Sequence, residues 1–164
     1  MDVSIMARNS TNKRGGWSFW KLLSIILVSL SGLLIARIKF FRGYQMFELT
    51  QESRKRLLQA YPPKFSMVDA DHITHAYNVS RFDPMPLLPK TVEIIGYMCD
   101  ESIECVVVNI DGTYRRPDGG IYHITLSRKP DRPARDSNAL IAECGWITNE
   151  DELRVQAFPA FRPL

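Results

Sequence analysis

The chain has 164 residues, enough for one domain of ordinary size, and 45% of them are apolar, which excludes a disordered chain. The formal charge of +3 hides a split: residues 1–42 carry seven basic side chains and one acid, while 43–164 carry 14 basic and 17 acidic ones. The acidic body excludes non-specific nucleic-acid binding, which needs a basic footprint, and three cysteines are too few for a disulfide scaffold.

The head comes first in the chain. Residues 22–36 contain no charge, and the apolar stretch extends over 17–38 if Lys21 and Arg37 are allowed near its ends. A helix of that length, at ~1.5 Å per residue, spans the ~30 Å hydrocarbon core of a bilayer. Lys21 and Arg37 can snorkel to the headgroups, and Trp17, Phe19 and Trp20 lie where an interfacial aromatic belt belongs. Residues 35–39 are bulky and basic and offer no signal-peptide cleavage site. The expectation is a basic tail over 1–16, a transmembrane anchor over 17–38, a tether over 39–49 and a domain over 50–164. Arg54, Lys55 and Arg56 tilt the charge balance so that the body of this single-pass membrane protein is expected in the cytoplasm.

In the body, Thr50 is placed to cap a helix over 51–60, which Pro62 and Pro63 stop. A strand is expected over 71–78, followed by a loop with three prolines over 80–90. Two β-rich runs, 91–98 and 103–110, are split by Asp100, Glu101 and Ser102 and read as a hairpin. A turn-rich loop over 111–120 leads to a strand over 121–127. Ser137 then caps a short helix over 138–144, which Gly145 ends, and a last strand over 152–158 precedes a proline-rich tail. The fold class is α+β.

The chain has three histidines, and two sit in the same tripeptide: His72-Ile73-Thr74 and His123-Ile124-Thr125. Side chains alternate along a strand, so each motif presents an imidazole and a hydroxyl on one face. Ile73 lies opposite in the first strand; Tyr122, Ile124 and Leu126 lie opposite in the second. The third histidine, His75, shares the face of Ile73 and Tyr77 and reads as structural or exposed. Opening a cyclic phosphodiester needs such a set. One neutral imidazole takes a proton from water, a protonated one gives a proton to the leaving oxygen, and hydroxyls bond the non-bridging oxygens.

This pair of motifs resembles the two-histidine phosphoesterase superfamily, which is defined by two His-x-Thr motifs on strands of a bilobal α+β fold. Its members include 2′,3′-cyclic phosphodiesterases of RNA processing and phage enzymes that destroy cyclic-oligonucleotide signals. The resemblance implies antiparallel sheets with flanking helices, and His72, Thr74, His123 and Thr125 as catalytic residues. The 51-residue separation of the two histidines is shorter than the family pattern and implies a trimmed first lobe.

Tyr114, Arg115 and Arg116 in the loop before the second motif, with Tyr122, are candidates to clamp a phosphate or stack on a base. No cofactor and no metal are expected, because no usual ligand spacing is visible. The expected partner is a nucleotide or RNA end carrying a cyclic phosphate. The activity expected is that of a metal-independent phosphodiesterase. The alternatives are an inactive module that binds a nucleotide or RNA end, and a membrane-tethered interaction domain.

Overall fold

The computed structural model describes Leu23, Ser24, Val28 and residues 41–164. The chain divides into two units, Met1–Ile38 and Lys39–Leu164, and every described strand belongs to the second. Among the described residues no helix is long and apolar enough to cross a membrane. The anchor expected over 17–38 lies outside them, apart from Leu23, Ser24 and Val28.

The body is α+β, with two antiparallel sheets and two described α-helices. The expected tether over 39–49 is for most of its length a strand, β1 (Arg42–Leu49). It buries Met46, Phe47 and Leu49 and is the central strand of a three-stranded sheet. Its neighbours are β3 (His72–Ser80) and β8 (Ala157–Pro163). Both partners are remote in the chain, so nothing next to 42–49 announces the pairing. Gly43 is required there: a Cβ would sit 2.3 Å from the Arg162 carbonyl oxygen and 2.4 Å from the Phe161 ring.

Helix α1 (Gln51–Ala60) begins as expected, with the Thr50 hydroxyl accepting from the Ser53 N–H at 3.1 Å. Its buried face is Ser53 and Leu57, and the Ser53 hydroxyl takes the Gln156 N–H at 2.7 Å. The five-stranded sheet has the order β2 (Met67–Val68), β6 (His123–Arg128), β5 (Ile103–Ile110), β4 (Val92–Cys99), β7 (Ile147–Arg154). Strands β4 and β5 form the expected hairpin. Asp100 shapes its turn by accepting the N–H groups of Ser102 and Ile103 at 2.6 and 2.8 Å. In β5, Ile103 through Val108 are buried without alternation, as in a strand covered on both faces.

The single strand expected over 152–158 is in fact two, β7 and β8, on different sheets. The proline-rich tail is strand β8 because it lies at a sheet edge, where Pro159 and Pro163 need not supply ladder hydrogen bonds on both sides. Helix α2 (Ser137–Cys144) follows a 3₁₀ turn at Ala134–Asp136 and ends at Gly145. Ser137 does not cap it; its side chain is fully buried and bonded to Thr125 instead.

The main core lies between the sheets and joins Phe47, Leu57, Ile73, Val106, Val108, Ile124 and Leu126. A smaller cluster of Cys105, Val107 and Ile141 covers the other side of the five-stranded sheet.

Candidate active site

The site is created where the chain changes sheets. Strand β2 pairs with β6, Met67 opposite Arg128 and Val68 opposite Ser127. The backbone continues that register for two residues: Asp69 N–H donates to Leu126 at 3.0 Å and Ala70 N–H to Thr125 at 2.8 Å. At Ala70 the chain turns away, with φ at +49° and the methyl fully buried. The Asp71 carbonyl then accepts from Leu49 of β1, and His72 pairs with Glu48 in the other sheet. Carried two residues beyond Ala70 and Thr125, the β2–β6 register would set His72 against His123. The two histidines therefore start from facing positions on strands that part into different sheets, and a cleft of about 720 Å³ opens there.

His72, Thr74, His123 and Thr125 all line this cleft. Ile73, Ile124 and Leu126 lie on the opposite faces, in the core, as strand alternation requires. His75 also points to the core side. Its Nδ1 lies 2.7 Å from the Tyr122 hydroxyl, and its ring packs on Phe47 and Tyr122. Burial lowers its pKa.

Each catalytic candidate has its Nδ1 engaged, which leaves Nε2 for a substrate. The partners differ. His72 Nδ1 lies 2.5 Å from Asp71 Oδ1, and Arg162 donates twice to Asp71 Oδ2 at 3.2 Å. Burial works to raise the Asp71 carboxyl, but the His72 hydrogen bond and charge, with the Arg162 guanidinium, hold it at about 2. His123 Nδ1 instead donates to the Ile121 carbonyl at 2.8 Å. Burial pushes His123 down to about 4; the Ile121 bond opposes this, and the charges of Arg116 and His72 add to it. His123 is therefore a neutral imidazole at neutral pH with its Nε2 lone pair unprotonated.

Of the loop residues, Arg116 lines the cleft. It is buried at 8% exposure, bonded to Asn138 at 3.2 Å and ion-paired with Asp118. Gly120 lies flat against it, since a Cβ there would come within 3.3 Å of the guanidinium. Burial works to raise the Asp118 carboxyl, but Arg116 and the backbone N–H groups of Gly120 and Tyr77 hold it below the usual carboxylate value. Tyr114, Arg115 and Tyr122 do not line the cleft. Tyr114 packs edge-on against Trp146 at 5.6 Å, and the Arg115 guanidinium lies 5.5 Å from the Tyr114 ring. Tyr122 is a core residue whose ring is inward because it shares the Ile124 face.

Thr125 is less free than its sequence position suggests. Its hydroxyl lies 3.3 Å from the Ala134 carbonyl and 3.0 Å from the Ser137 hydroxyl, so it also braces the turn before α2.

Several lining residues are not evident from sequence: Tyr44, Asp71, Tyr77, Asp118, Arg135, Asn138 and Arg162. Asp71 has a signal, its place directly before the motif. Tyr77 has a misleading one. Simple alternation puts residue 77 on the Ile73 face, but the β1–β3 register shifts between Thr74 and Ala76 and moves Tyr77 to the cleft side. Tyr44 stacks on Tyr77 at 6.4 Å and lies 5.6 Å from the His72 ring. Arg128, next to the second motif, is bonded to Asp69 at 2.8 Å and stays out of the cleft.

Among the described residues no group of three or more His, Cys, Asp or Glu side chains is arranged to hold a metal ion. Comparison with known proteins finds no matching family model, curated protein or solved structure.

Proposed function

We propose that the protein is a phosphodiesterase of the two-histidine type that opens a cyclic phosphate on a nucleotide or RNA end without a metal. It is held at a membrane by residues 17–38, with the body in the cytoplasm. The observation that carries the reading is the meeting of both His-x-Thr motifs, from two sheets, on the wall of one cleft.

His123 is the base. Its unprotonated Nε2 takes a proton from water as the water oxygen bonds to phosphorus. His72 is the acid. Its Nε2 gives a proton to the ester oxygen as the opposite P–O bond breaks, leaving a phosphomonoester and a free hydroxyl. Asp71, braced by Arg162, fixes the His72 ring, and the Ile121 carbonyl fixes the His123 ring. Thr74 and Thr125 donate to the non-bridging oxygens where charge builds up. For Thr125 that means giving up its bond to Ala134 during the reaction.

That engagement of Thr125 favours the second reading, a binding module that holds a nucleotide without turning it over. Turnover separates the two. The full chain, purified in detergent, is incubated with a nucleoside 2′,3′-cyclic phosphate with and without chelator, and the monophosphate is measured. Product formation that survives chelation and is lost in His72→Ala supports the enzyme. Saturable binding with no product in the wild type supports the module.

A further inference from the structure

The loop that follows β3 exposes an unusual run of large apolar side chains. Phe82 is 75% exposed, Leu87 89% and Leu88 59%, and Met85 is also exposed. The loop is nevertheless held in place. The buried Gln45 side chain donates to the Pro84 carbonyl at 2.9 Å, Ser80 N–H donates to Asp83 Oδ2 at 2.8 Å, and Pro84, Pro86 and Pro89 stiffen the backbone. Large apolar side chains close in sequence and displayed on a loop that is held in place mark a contact site.

The loop is joined to the point where the chain enters the body. Arg81 N–H donates to the Phe41 carbonyl at 2.8 Å, and the Phe41 and Phe82 rings lie 5.3 Å apart. Forty residues precede Phe41, including the uncharged run 22–36, and Arg37, Lys39 and Arg42 lie at the junction. If the run crosses a bilayer, Phe41 is three residues beyond residue 38. Three residues reach at most about 10 Å, so Phe41, and with it the Arg81–Phe82 end of the loop, lies within about 10 Å of the hydrocarbon boundary.

We propose that residues 81–88 are a bilayer-contact loop, with Phe82, Met85, Leu87 and Leu88 inserted among the lipids and the junction cations on the headgroup phosphates. The proposal rests on the membrane reading of 17–38 and is independent of the catalytic one. It also orients the enzyme. In the β1–β3 ladder Arg42 faces Ser80 at the loop end and Glu48 faces His72 at the other. Six residues of strand at ~3.3 Å each set His72 about 20 Å from that end.

The test uses the full chain in vesicles of phosphatidylcholine and phosphatidylglycerol. Photoreactive benzoylphenylalanine replaces Leu87 in one variant and Phe158 in another. Phe158 is exposed too, but it pairs with Glu48 at the far end of the sheet. Flotation of the vesicles reports the anchor, and mass spectrometry after illumination reports the loop. Acyl-chain adducts from position 87 and none from 158, on chains that float, are the expected result. On floating chains, adducts from 87 to residues 1–40 of the same chain, or an absence of lipid adducts, overturn the loop assignment while leaving the anchor intact. Chains that fail to float remove the membrane reading and the loop assignment with it.

Discussion

At the scale of single residues, the two imidazoles are each held through Nδ1, His72 by a carboxylate and His123 by a backbone carbonyl. His72→Ala and His123→Ala should each reduce turnover of a 2′,3′-cyclic nucleotide by about 10²–10⁴-fold, the usual worth of a positioned acid or base. The double variant should lose far less than the product of the two, because groups that act as a unit are not additive. Asp71→Asn is a sharper probe. Its amide removes the carboxylate that supports a charged ring, and a donor turned to Nδ1 leaves Nε2–H on a neutral imidazole, a poor acid; kcat should fall on the order of 10²-fold or more, with little change in KM. An Asp71→Asn enzyme with wild-type kcat would show that the 2.5 Å contact to His72 is dispensable. Burial of His123 also predicts a pH dependence of stability. Its pKa is about 4 in the folded chain against the ordinary 6.5 of a solvated imidazole, so the unfolded chain binds the proton more tightly. The stability this group contributes is complete above about pH 6.5 and is lost as the pH falls towards 4, and it amounts to about 3 kcal/mol. His75, lowered by burial, adds to the same slope. Urea unfolding at intervals between about pH 4 and 7.5 checks this, and a curve flat through that window contradicts it.

At the scale of elements, the crossing from β2 to β3 positions the site more than either strand alone. Ala70 combines a positive φ with complete burial. A β-branched residue fits neither condition, so Ala70→Val should cost at least about 2 kcal/mol, read from the denaturation midpoint. Turnover per folded molecule should fall as well, because the crossing that brings His72 to the cleft it shares with His123 runs through this residue. The turn before α2 depends on Thr125 in the same way. Thr125→Ala removes one partner each from the buried Ser137 hydroxyl and from the Ala134 carbonyl, which still accepts the Ser137 N–H, at a cost of about 1 kcal/mol. Thr74 has no comparable brace among the described residues, and Thr74→Ala should therefore be the milder change in a thermal melt. Equal losses of Tm in the two variants would show that the Thr125 network carries no stability.

At the scale of the whole molecule, the boundary of the body is set by β1. The second compact unit begins at Lys39, and the central strand of one sheet begins three residues later. A chain starting at residue 39 should therefore show a single cooperative thermal transition. A chain starting at residue 50 keeps every candidate catalytic residue but removes the shared neighbour of β3 and β8. It should lose the cooperative transition and aggregate through Ile73 and its exposed sheet edge. Circular dichroism melts and sedimentation of the two truncations test this; a well-folded chain from residue 50 would return residues 42–49 to the role of a tether.

Much of the local architecture was legible from short-range rules. Thr50 and the following prolines bound α1, Asp100 marks the β4–β5 turn, and alternation correctly assigns the cleft and core faces of both His-x-Thr motifs. These features depend on interactions within a few residues, which composition and period capture. The facing of the two motifs, the place of Arg162 beside Asp71 and the arrival of Tyr77 in the cleft depend on events that no local period encodes. They are a sheet crossing at one alanine, an edge strand hidden in a proline-rich tail, and a shift of register beyond Thr74. Arg116 enters the cleft while Arg115 stays outside for the same reason: the pairing of Arg115 with Ile121 and the packing of Gly120 are settled by the loop's closure, not by its composition. The amino-acid order determined which chemical groups each strand presents and on which face. Tertiary pairing decided which of them meet, because convergence across two sheets depends on long-range registers and on one buried residue with positive φ.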